Sequence, residues 1–127
     1  MARTVAELSD EERKTYRLSA RVRARRSDQA MKKREKQAWM LARQAADLLR
    51  KRYGARRVMV FGSLAHKDCF TLWSDVDLAV WGLHPEDTFK AMGAVQDLDA
   101  DIEINLVDVS TGSPSLIHEI ESEGIEI

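Results

Sequence analysis

Two short apolar runs that each stop at a glycine constrain this chain more than any other feature. Val58-Met59-Val60-Phe61 ends at Gly62, and the run from Val76 to Trp81 ends at Gly82. Runs this short, punctuated this way, read as buried strands rather than buried helices. Ile102 to Val109 reads as a third strand. A polar loop over residues 64–74 separates the first two, long enough for the chain to double back and lay them side by side.

Helical periodicity fills the remainder. Ser9-Asp10-Glu11-Glu12 has the form of a capping box, in which hydroxyl and carboxylate each satisfy an orphan amide. The stretch from there through Arg26 favours helix but carries few apolar residues, chiefly Tyr16, Leu18 and Val22. From Asp28 the pattern tightens. Trp39, Ala42, Ala46, Leu49 and Tyr53 recur at helical spacing, widened by Leu41, Ala45 and Leu48, and Gly54 follows the basic turn Arg50-Lys51-Arg52. These are the marks of a core-facing helix and its C-terminal stop. Pro85 opens another helix, expected to carry Phe89, Met92, Val95 and Leu98 on one face, and Ser113-Pro114 opens a last one through about Ser122. Gly124 then releases a short apolar tail, Ile125-Glu126-Ile127. The order describes a small mixed sheet packed by helices, an α/β chain of the α+β kind. Residues 1–36 read as a charged helical extension and 37–127 as the folded domain.

Charge divides the chain in the same way. Residues 1–57 hold 18 Lys and Arg against 7 Asp and Glu, a net of +11, whereas residues 58–127 hold 2 against 14, a net of −12. A carboxylate-rich half suits a divalent metal, and a basic half suits a phosphate-bearing or acidic partner. The single cysteine, Cys69, excludes an internal disulfide and a cysteine-rich zinc site and fits a reducing cytoplasm. The charged start lacks the apolar core of a signal peptide, and no stretch approaches the ~18 apolar residues of a membrane span. The expectation is a cytoplasmic protein with no membrane association.

The chemistry concentrates at the strand ends. Asp75 and Asp77 lie two apart, so both carboxylates point to one face of a strand while Val76 and Leu78 point to the other. Crowding two like charges there stabilises nothing by itself. A divalent cation removes the repulsion, and hard oxygen ligands select Mg²⁺ or Mn²⁺ over zinc. Gly62 and Ser63 follow the first strand, where glycine admits close backbone approach and the amides with the Ser63 hydroxyl can cradle phosphate oxygens. A phosphate cradle beside a metal-binding carboxylate pair is what phosphoryl and nucleotidyl transfer require.

The string Val60-Phe61-Gly62-Ser63, then eleven residues, then Asp75-Val76-Asp77-Leu78-Ala79-Val80 resembles the motif of the DNA polymerase β-type nucleotidyltransferase superfamily. With Asn105-Leu106-Val107-Asp108-Val109 and the short length, the chain is similar to the minimal nucleotidyltransferases (MNT) over residues 40–127. The resemblance implies a polymerase-β-like nucleotidyltransferase fold behind the long charged N-terminal helix. It implies Asp75 and Asp77 as metal ligands and catalytic groups, Ser63 on the nucleotide phosphates and Gly62 shaping the turn. That family places a third carboxylate where Asn105 stands here. Glu103, on the same strand face, is the substitute ligand, and Asp108 falls on the opposite face as a strand-end group. The implied reaction is Mg²⁺-dependent transfer of a nucleoside monophosphate, AMP from ATP, to an acceptor hydroxyl. Such proteins are often antitoxins that modify a tyrosine of a HEPN-domain toxin, which implies a hetero-oligomer with that toxin. Two alternatives stand beside this. One is an antitoxin that neutralises its partner by binding without turnover, and the other is a small-molecule nucleotidyltransferase.

Other residues carry weaker signals. Lys67, in the loop over the triphosphate, is a candidate nucleotide-binding cation. His66 and His118 lack companions for zinc, and Cys69 lacks a basic partner. Trp73 is expected to pack the loop rather than stack on a base. The basic run Arg21 to Lys36 lacks interleaved aromatics, which argues against direct nucleic-acid binding.

Overall fold

The computed structural model describes residues 9–127, so the first eight residues of the charged extension lie outside the described residues. The Ser9 hydroxyl accepts the Glu12 amide at 3.1 Å, forming the expected cap. Helix α1 then runs over Asp10–Tyr53, 44 residues or about 66 Å. The two helical stretches read on either side of Ser27 are one helix, because no Gly or Pro interrupts the chain between Ser9 and Gly54. Asp10 to Gln37 contains no buried residue, whereas Ala38, Leu41, Ala42, Ala45, Ala46 and Leu49 are buried. The apolar stripe therefore governs only the second part of the helix. Gly54 ends it in the left-handed conformation (φ 68°), its N–H donating to the Leu49 carbonyl.

The chain continues through β1 (Arg57–Phe61), β2 (Val76–Trp81), α2 (Thr88–Gln96), β3 (Ile104–Asp108), α3 (Pro114–Glu123) and β4 (Ile125–Glu126). The sheet order is β3-β2-β1-β4. β1 is antiparallel to β2 and to β4, while β2 and β3 run parallel, as strands joined by a helical crossover do. The mixed sheet expected from the sequence is present. Val58, Val60, Leu78, Val80, Ile104 and Leu106 point to one face and pack on α1 and on Ala91 and Val95 of α2. Each large aliphatic side chain fully buried here, Leu49, Leu78 and Ile104 among them, contributes about 1.5–3 kcal/mol. The other face carries Met59 and Ala79, covered by Ile120 of α3 and by Val109.

Three expectations need correction. The tail is a fourth strand: Ile125 pairs with Val60, Glu126 with Met59, and the Ile127 amide donates to Val58 at 3.0 Å. Two residues of regular pairing give too little periodicity to read. Phe89 is 85 % exposed rather than core-facing. A 3-10 turn over Pro85–Asp87 precedes α2, and Thr88 takes the inward position to bond Asp108, which turns the next residue outward. Trp73 is also 85 % exposed, because Leu64 and Phe70 are the residues that anchor the loop between β1 and β2.

Candidate functional site

The antiparallel register sets Phe61 opposite Asp77, and the parallel register sets Asp77 beside Asn105. Asp77 therefore shares its face with Met59 and Ala79, on the side of α3, but lies nearer the strand's start and is half-buried. The Asn105 Nδ2 donates to Asp77 Oδ1 at 3.2 Å. Burial raises the Asp77 carboxyl above its ordinary range; the Asn105 bond works against that shift, and the charge of Asp75 reinforces it.

Gly62 lies directly against this carboxylate. Its φ is +69°, and a Cβ there would run into Asp77 Oδ2 and come within 3.2 Å of its Cγ. The glycine is thus required twice, by its backbone conformation and by the approach of Asp77. Ser63 follows in a 3-10 turn over Gly62–Ala65, half-buried, its carbonyl accepting the His66 amide at 3.3 Å. Gly62 of the first half of the motif thereby meets Asp77 of the second, although the loop separates them in sequence.

Asp75 precedes β2 and is half-buried. Glu103 stands one residue ahead of β3, exposed, with its carbonyl accepting the Val76 amide at 2.9 Å. Asp75 and Glu103 line a common concavity of about 510 Å³ with Gln96, Asp99 and Asp101. Among the described residues, no three His, Cys, Asp or Glu side chains gather closely enough to form a metal site by themselves. Two half-buried aspartates at the start of β2 still suit a hard cation, because Mg²⁺ keeps several waters and takes one or two carboxylates together with substrate phosphates. Lys67 and Cys69 are exposed on the loop, and His66 Nε2 lies 3.2 Å from Glu123 Oε2.

Sequence reading missed the supports of this site. Arg34 Nη2 donates to the Ser74 carbonyl at 3.2 Å, and Gln37 Nε2 donates to Asp99 Oδ2 at 3.2 Å. Contacts spanning 40 and 62 residues leave no periodic trace. The only available signal was their position one turn apart, just ahead of the apolar stripe.

Residues 43–127 match the family model described as "Polymerase beta, Nucleotidyltransferase". The chain belongs to this nucleotidyltransferase family. Its fold generally uses divalent metal ions. Among curated proteins, none matches the chain. Solved structures share the fold. A mutant form of the toxin–antitoxin MntA-HpeT is 22% identical, with a TM-score of 0.54 over 67% of this chain and 69% of that one. The toxin–antitoxin MntA-HepT is 20% identical, with a TM-score of 0.51 over 69% of each chain. A tri-AMPylated Shewanella oneidensis HEPN toxin in complex with an MNT antitoxin provides a third, 20% identical, with a TM-score of 0.53 over 70% of each chain. No helix among the described residues of this family member is long and apolar enough to cross a membrane.

Proposed function

We propose that this nucleotidyltransferase is an MNT-type antitoxin that moves AMP from ATP to a tyrosine hydroxyl of a HEPN-type toxin. One observation carries the reading: Gly62 meets the half-buried carboxylate of Asp77, crowded by the like charge of Asp75, at the end of β2 in a polymerase-β-family sheet. The similar MNT antitoxin bound to a tri-AMPylated HEPN toxin supports the acceptor. Residues 1–36 serve as the extension and 37–127 as the catalytic domain. The single cysteine suits a cytoplasmic setting.

Asp75 and Asp77 would hold Mg²⁺ or Mn²⁺, with Glu103, one residue ahead of β3, as the third ligand. The ion supplies charge neutralisation on the phosphates when bound. Gly62 leaves room for the Asp77 carboxylate, the turn amides with Ser63 bind phosphate oxygens, and Lys67 adds a cation over the triphosphate. In the reaction the acceptor oxygen bonds to the α-phosphorus, the bond to the β-phosphate oxygen breaks, pyrophosphate leaves, and the hydroxyl proton passes to water.

The test incubates the protein with Mg²⁺, ATP and a HEPN-type toxin, and reads the toxin's mass. Gain of AMP is expected, and its absence with active protein overturns the reading. A second reading rests on Asn105, whose amide faces Asp77 where the family's pattern has a carboxylate. It holds that the chain neutralises its partner by binding alone. Neutralisation without any mass gain distinguishes it.

A further inference from the structure

One turn of α1 reaches both sides of the segment that delivers Asp75. Arg34 and Gln37 lie three apart and so share a helix face. Arg34 Nη2 donates to the carbonyl of Ser74, the residue immediately before Asp75. Ser74 is itself fixed in a compact turn, its hydroxyl accepting the Thr71 amide at 2.9 Å and its own amide donating to the Thr71 carbonyl at 3.2 Å. Gln37 holds Asp99 Oδ2, while Asp99 Oδ1 accepts the amides of Asp101 at 2.7 Å and Ile102 at 3.1 Å. That turn delivers Glu103, whose carbonyl takes the Val76 amide. Two chains of hydrogen bonds thus leave the same helical turn and close on the backbone at either side of Asp75.

The burial of Arg34 is informative. It is half-buried on a stretch of helix whose other cations are mostly exposed, and its Nε is buried without a hydrogen-bond partner. An arginine serving only solubility would keep that donor in water. Its charge also helps hold the Asp99 carboxyl below the usual range, behind the larger effect of the Asp101 amide. Both residues precede the segment that matches the family model, which begins at residue 43.

We propose that Arg34 and Gln37 are positioning residues that lock the Ser74–Val76 backbone against Glu103 and so hold Asp75 in its metal-binding place. The proposal rests on the reading of Asp75 and Asp77 as a metal and nucleotide site. The lower, solvated part of α1 is then continuous with a strut of the catalytic machinery rather than an appendage.

The experiment uses the full chain and two readouts. Amide exchange of the metal-free protein is followed at Val76, and Mg²⁺-dependent binding of ATP is measured by calorimetry. Arg34→Ala is expected to speed exchange at Val76 while leaving Val60 and Leu78 protected. It is expected to weaken Mg²⁺-dependent binding about tenfold, the lower end for groups that orient a metal ligand. Arg34→Lys keeps a charge and a donor and is expected to recover most of both losses. Arg25→Ala removes the same charge from an exposed site on the same helix and is expected to change neither. Unchanged exchange at Val76 in Arg34→Ala overturns the lock, and equal losses in Arg25→Ala overturn it in favour of general electrostatics. Faster exchange with undiminished binding shows a structural tie and overturns the positioning role. Failure of the unaltered protein to bind ATP overturns the reading of the site, and the positioning role with it, whatever the exchange at Val76.

Discussion

Asp77 on β2 and Asp108 on β3 are carboxylates of one sheet held in opposite circumstances. Asp108 is 3 % exposed, and its oxygens are occupied: Oδ2 by the Thr88 hydroxyl at 2.8 Å, Oδ1 by the Ser110 hydroxyl at 2.7 Å and amide at 3.1 Å. Asp77 is less buried, has one side-chain donor at 3.2 Å, and feels the like charge of Asp75. The deeply buried carboxylate is the settled one. Depth satisfies a carboxylate here, whereas a shortage of donors and a neighbouring like charge leave one open to a ligand.

That contrast can be broken experimentally, most severely at the carboxylate pair. Asp75→Ala with Asp77→Ala is expected to abolish transfer of labelled AMP while the far-ultraviolet dichroism stays intact and melting is not lowered; undiminished labelling would sink the metal assignment. Gly62→Ala is next. The left-handed backbone costs about 1–2 kcal/mol, and the new methyl pushes the Asp77 carboxylate aside. Both lower melting and loss of Mg²⁺-dependent ATP binding are expected, and a variant that melts lower but binds normally would show that the contact does not matter.

Asp108→Ala should behave in the reverse manner. Stranding the donors of Thr88 and Ser110 is expected to remove about 1–3 kcal/mol of stability in urea titration. Binding of ATP per folded molecule should be unaffected.

A subtler difference lies in the pH dependence. The folded Asp77 carboxyl is raised above its ordinary 3.8 by burial. Its contribution to stability is full below 3.8 and is lost as the pH rises through the folded value. Asp77→Asn, which mimics the protonated form, is therefore expected to melt above the unaltered protein at pH 7, with the gap closing as the pH falls below 3.8. A gap independent of pH would contradict the assignment. The smallest effect is expected at Phe89→Ser, within about 0.5 kcal/mol, since that ring is exposed despite its apolar character. A larger loss would mean that the residue packs after all.

Much of this molecule was legible before any coordinate. The strands ending at Gly62 and Gly82, the stripe from Trp39 to Tyr53 and its stop at Gly54 all follow from local periodicity and turn chemistry. Such features depend on neighbours a few residues away, so sequence order preserves them. Phe89 and Trp73 are exposed against their local pattern because an apolar side chain states a preference for burial but not which face of its element the rest of the fold will cover. The strand at Ile125–Glu126 was too short to show alternation.

The sequence alone determined that two aspartates, a glycine and a serine stand at strand ends. Tertiary structure decided the rest. It brought Gly62 against Asp77 and Asn105 beside it, and it set Arg34 and Gln37 on the segments flanking Asp75. It also left Glu103 ahead of its strand instead of within a closed cluster. The physical reason is that register and helix docking are fixed by burial of the whole apolar face at once. The fine placement of a polar side chain at the rim is a consequence of that global fit and is written in no local stretch of the chain.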